Sequence, residues 1–267
     1  MVSPVGPKVS GEPAEIDLHV THLEVLWCFI YAWLIRYEEV VQRPKLEPTS
    51  VVDPQLLARA EKLRNWAQTV ADVYTPWPKG LPSPITSASD QERYFTEKTN
   101  LIFQEAISFL LLHEWMHGIS NHAHGWRELS AEDKLEREKE ADNGAWDILV
   151  GDRDDKAKMH LAWAVMSAVL SSFYLLSTDT PVKQFHHPEL HHRIQHLLLR
   201  FDFSEERLQV YFHGLCVEVL MSIFAIPWEH PSEGYDTYVE LLQSLLDQLD
   251  AALGPAATTP LKRSRVP

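Results

Sequence analysis

Positive charge is scarce in this chain: 24 Lys and Arg face 38 Asp and Glu, a formal net charge of −14 over 267 residues. Phosphate backbones are bound by basic surface, so nucleic acid is excluded as the main partner. Cysteine is nearly absent. Cys28 and Cys216 cannot build a disulfide framework, which points to a reducing compartment. Glycine numbers only 10, no internal repeat is present, and alternating strand-like runs are few. Residues 1–15 hold three prolines and no apolar run, so a signal peptide is not expected there and the segment reads as a flexible arm.

Long apolar runs are also missing, with one case to weigh. Met159 to Thr178 is free of Asp, Glu, Lys and Arg over a length that can span a bilayer. It carries His160, Ser167, Ser171, Ser172 and Ser177, and no comparable second run accompanies it. A buried central helix is therefore expected, not a membrane span.

What is present is a 45% hydrophobic chain with 9 Trp, enough for a well-filled core, and 14 His. Apolar residues recur at spacings of three and four, and the 17 prolines sit between such segments. Helices are expected over Ile16–Gln42, ending before Pro44, and over Pro54–Tyr74. A long one opens at Ser89, where Glu92 completes a capping box, and runs to about Gly118. Ser130 with Asp133 starts another to Val150, then Asp155–Ser177, a helix from His187-Pro188, Ser204–Ile226 and Ser232–Leu253 follow. The expectation is a mostly α, single-domain protein of about eight helices over 16–253, with a short β-ribbon not ruled out and a flexible tail over 254–267.

Late in the long helix stands His113-Glu114-Trp115-Met116-His117, the H-E-x-x-H pattern. Residues four apart on a helix face the same way, so both imidazoles can reach one Zn²⁺. Glu114, one position on, is turned to take the proton of the attacking water as general base. A chance match to three fixed positions is expected about 0.06 times in a chain of this composition.

A catalytic zinc takes three protein ligands. The extended pattern with a third histidine fails, because position 123 is Ala. His122 and His124 are off that spacing and read as loop histidines. The next helix offers Glu138 and Asp142, four apart on one face. Glu138 is the preferred third ligand, with Asp142 holding a ligand histidine through its other ring nitrogen; Glu140 stays open as its rival. The flank Ala141, Ala145, Trp146, Leu149 shows that one side of this helix is buried.

With these residues in hand, the chain resembles the glutamate-type zincins, in which H-E-x-x-H is followed on a second helix by E-x-x-x-D. Glu138 to Asp142 resembles the E-x-x-A-D element of the HtpX-like and CAAX-prenyl-protease peptidases, and more closely that of the phage-exclusion protein Lit family. His187-Pro188 through Arg193-Ile194 is similar to the H-P-x-x-x-x-R-I element that follows the zinc helices in those peptidases. The resemblance implies a helical zincin-like domain and a zinc-dependent endopeptidase with a protein substrate. It also implies that His187 or Arg193 steadies the oxyanion of the tetrahedral intermediate. The Lit likeness implies a cytoplasmic protease of phage defence that cleaves a translation factor, elongation factor Tu. These elements span residues 110–200, about a third of the chain.

His186, His187, His191, His192 and His196 are dense enough to raise a second metal site, but Glu189 is the sole carboxylate at useful spacing, and surface positions are expected for those not at the active-site rim. Trp115, Trp126 and Trp146 are expected in the core or the pocket wall. Neither cysteine has a context that would activate it as a nucleophile. Two other functions stay open: a regulatory protease that cuts a repressor, and a non-catalytic helical binding protein with a vestigial motif.

Overall fold

The computed structural model describes residues 8–10, 15–47, 53–70, 73–122, 128–175, 190–201, 206–224 and 227–253. Strands β1 (Lys8–Ser10) and β2 (Glu15–Asp17) pair antiparallel with Val9 opposite Ile16. Helices follow in the order α1 (Val20–Arg36), α2 (Arg43–Leu46), α3 (Pro54–Val70), α4 (Asp90–Ile119) and α5 (Ala131–Val150). After them come α6 (Asp155–Ser172), α7 (Leu190–Phe201), α8 (Glu206–Ile223) and α9 (Tyr238–Leu253). Apart from the four-residue α2, these are eight helices of twelve residues or more, the mostly α architecture expected, built around one buried core.

Local chemistry explains most boundaries. The Ser89 hydroxyl accepts from the Glu92 backbone N–H at 3.1 Å, while Glu92 reaches the Ala88 N–H at 2.6 Å, so α4 starts capped. Ser130 does the same for α5 through the Asp133 N–H at 3.0 Å, and Asp154 caps α6 through Ala157 at 2.9 Å. Several boundaries differ from the sequence expectation, among them the ends of α3 at Val70 and α6 at Ser172, which stop short of Tyr74 and Ser177. The first helix begins at Val20, because Ile16 is spent on the ribbon and His19 caps the helix by accepting from Thr21. At its far end a π-helical turn over Tyr37–Gln42 runs on into α2, so the chain stays helical through Pro44 instead of ending before it. The last helix starts at Tyr238, six residues later than expected. Residues 8–10 and 15 of the expected N-terminal arm belong to the ribbon, which packs on α4. The expected C-terminal tail, 254–267, lies outside the described residues.

Two helices are apolar on every side and occupy the centre. Each residue from Val25 to Ile35 in α1, and from Leu161 to Ser171 in α6, is buried. A helix buried all round has no reason to be amphipathic, which is why α6 lacks charge across its middle. Among the described residues no helix is long and apolar enough to cross a membrane. Trp27 stacks on Tyr31 at 5.1 Å within α1 and donates its indole N–H to Asn100 of α4 at 2.7 Å. That bond fixes α4 against the core. Helix α5 then lies close on α4: a Cβ on Gly144 would stand 2.4 Å from Met116 Cε, so the glycine makes room for that side chain.

Candidate metal centre

Helix α4 turns one stripe inward: Ala106, Phe109, Leu110, His113, Glu114 and His117 are all buried. The spacing of three and four that buries the apolar residues therefore carries the two histidines into the interior with them. On α5, Glu138, Ala141, Asp142 and Ala145 form the matching buried face. A buried carboxylate must be paired or neutralised, and both Glu138 and Asp142 have ionic partners.

The geometry closes around one point. His113 Nε2 and His117 Nε2 are 3.1 Å apart. Glu138 Oε2 lies 3.3 Å from His113 Nε2, and Glu138 Oε1 lies 3.4 Å from His117 Nε2. A tetrahedral zinc with bonds of about 2.0–2.2 Å has ligand-to-ligand edges of about 3.3–3.6 Å. The three separations, two of which end on different oxygens of the Glu138 carboxylate, fall within a few tenths of an ångström of that range, and the donor set of two imidazoles and a carboxylate suits zinc. His113, His117 and Glu138 are thus brought together as a group able to hold a metal ion, with Glu114 buried beside them. Glu140, the rival ligand, turns away: its side chain is 61% exposed and its Oε2 meets His122 Nε2 at 3.1 Å.

The surroundings orient these groups. Asp142 Oδ1 lies 2.8 Å from His113 Nδ1, the ring nitrogen that does not face Glu138. Arg193, on α7, grips Asp142 with Nε at 2.8 Å and Nη2 at 2.6 Å, and reaches Glu138 Oε2 with Nη1 at 3.1 Å. The guanidinium is buried, and that fork geometry suits a carboxylate better than any other cation does. Burial alone would raise the Asp142 carboxyl, but Arg193 and His113 outweigh it and hold it below the usual carboxylate range. Burial and Arg193 push His113 down, yet Asp142 and Glu138 prevail and raise it to about 9 in the metal-free protein. Arg193 is held firmly protonated by Asp142 and Glu138 against the cost of its burial.

Not all of the expected residues can be located. His187 lies outside the described residues, as do His186, His124 and Trp126. Trp146 is in the core against Phe201, but Trp115 is 47% exposed, because the stripe that buries His113 and His117 points position 115 outward. His191 is buried, not at the surface. Its Nε2 and that of His192 both meet Asp250 Oδ1 of α9, at 2.8 and 3.0 Å, while His196 meets Asn143. The carboxylate that partners this pair comes from a helix some sixty positions on, out of reach of any spacing argument. His122, read as a loop histidine, is buried against His117.

A family model named Peptidase U49 matches residues 16–216, three quarters of the chain. The chain belongs to this peptidase family. The matched stretch contains α4, α5 and α7, and so every residue of the metal centre described above. No curated protein and no solved structure matches the chain. Membership makes a peptide-bond hydrolase with a protein substrate the coarse function.

Proposed function

We propose that this peptidase is a zinc-dependent endopeptidase whose metal ligands are His113, His117 and Glu138. The observation that carries the reading is the convergence of two buried imidazole Nε2 atoms, 3.1 Å apart, on the buried Glu138 carboxylate, whose two oxygens lie 3.3 and 3.4 Å from them. A zinc ion held there would polarise the scissile carbonyl and acidify a water molecule. Glu114, next to a ligand and itself buried, accepts the proton of the attacking water and passes it to the leaving nitrogen. Asp142 holds His113 in the tautomer that leaves Nε2 free, and Arg193 holds Asp142 and Glu138 in place. Arg193 donates two hydrogen bonds to Asp142 and forms an ion pair with Glu138, which favours positioning over the oxyanion contact implied by the resemblance. The oxyanion role of His187 rests on the family resemblance alone.

The same resemblance to the Lit family supports a cytoplasmic protease of phage defence that cuts a translation factor. The decisive experiment compares wild type with Glu114→Gln. Both should carry one zinc per chain, and proteomics of expressing cells should show cleaved protein with wild type only. A general base contributes about 10²–10⁴-fold, so the variant should lose at least that much activity. Unchanged proteolysis in Glu114→Gln, or no stoichiometric zinc in pure wild type, refutes the proposal.

A further inference from the structure

The two histidines of the centre are supported differently. His113 leans on Asp142, whereas the Nδ1 of His117 faces another imidazole: His122 Nδ1 is 3.0 Å away, with the rings 5.1 Å apart and nearly perpendicular. His122 Nε2 in turn meets Glu140 Oε2 at 3.1 Å. We propose that His122 and Glu140 are positioning residues that hold His117 in the tautomer and ring orientation that turn its Nε2 to the metal. This inference rests on the zinc reading of the site.

The backbone is shaped to deliver that ring. Helix α4 ends at Ile119, and Asn121 takes a positive φ of 53°, a conformation that Asn tolerates better than most residues. The chain thereby folds back on the helix end, and the His122 N–H donates to the His117 carbonyl at 3.0 Å. Arg137 of α5 closes the arrangement by donating to the His122 carbonyl. His122 is 5% exposed, so its ring is held between α4 and α5 and not displayed to solvent.

The chemistry runs in one direction. A neutral imidazole has one N–H and one lone pair. To ligate through Nε2, His117 must carry its hydrogen on Nδ1, where it can donate to the Nδ1 lone pair of His122. The hydrogen of His122 is then on Nε2, facing a carboxylate that can only accept. Glu140 therefore sets the tautomer of His122, and His122 sets that of His117. This accounts for two residues that the motif left over, the histidine just past the helix and the glutamate two positions from the ligand.

The test uses the full chain and four proteins: wild type, His122→Ala, His122→Asn and Glu140→Ala. Zinc affinity is read by chelator competition, and ligand geometry by the visible absorption of the Co²⁺-substituted protein. Loss of such a support weakens metal binding by about 10–100-fold, which is expected for His122→Ala along with altered Co²⁺ bands. Asn sets an amide oxygen close to where Nδ1 stood, so His122→Asn should recover most of the affinity. Glu140→Ala should fall between, and it stays informative if His122→Ala fails to fold. Wild-type affinity and an unchanged Co²⁺ spectrum in His122→Ala, or in Glu140→Ala should that variant alone fold, would overturn the proposal. So would a folded Asn variant as weak as Ala. Wild type that takes up no zinc would instead bring down the metal reading, and this inference with it.

Discussion

Replacing Arg193 with Met removes one positive charge from a buried cluster and keeps most of the side-chain volume. Asp142 and Glu138 are 0% and 1% exposed, and Arg193 contacts both at 2.6–3.1 Å. With the guanidinium gone, His113 is the nearest cation left for two carboxylates. Breaking a buried pair from one side costs about 3–5 kcal/mol. A 267-residue chain unfolds with an entropy of about 0.56 kcal/mol/K, so the metal-free variant should melt about 5–9 °C below wild type. The control is Asp142→Leu/Arg193→Met, which leaves Glu138 facing His113 in balance and should melt above Arg193→Met alone. The assay is thermal unfolding by far-UV circular dichroism in the presence of a chelator. On the zinc reading, added zinc brings positive charge to Glu138 and should shrink the gap. An Arg193→Met protein within about 2 °C of wild type, or a double variant that melts no higher than Arg193→Met, refutes the electrostatic account of this cluster.

Two predictions concern pH. His22 is fully buried in α1 and desolvation lowers its pKa to about 4, so between pH 6.5 and 4 the unfolded chain binds a proton that the folded one refuses. Stability should fall by up to about 3 kcal/mol as pH drops through that window, and in His22→Leu urea unfolding should lose this part of the slope. His113 is protonated below about 9 in the metal-free protein, so zinc must displace its proton at pH 7. Calorimetric zinc binding should therefore depend on the ionisation enthalpy of the buffer, and affinity should rise about tenfold per pH unit up to pH 9. Buffer-independent heats would show that His113 is neutral before metal arrives.

Local rules took the reading a long way at α4. Ser89 and Glu92 mark its start, and the spacing of His113 and His117 follows from 3.6 residues per turn, so no distant residue is needed to put the two rings on one face. The same holds for Glu138 and Asp142 on α5, and for α6, whose uncharged middle suits a helix covered on all sides. These are properties of short windows. The choice between Glu138 and Glu140 is of another kind. Both lie on one helix about 200° apart, and only the packing of α5 on α4, with Gly144 over Met116, decides which carboxylate meets the histidines. Tertiary structure also decided that Arg193 meets Asp142 from 51 positions away, and that Asp250 pairs with His191 and His192. His122 shows the limit most plainly. It stands five residues past His117, at a spacing that a continuing helix would turn to another face. The left-handed turn at Asn121 carries it back, because a helix end that folds onto its own last turn escapes the helical period.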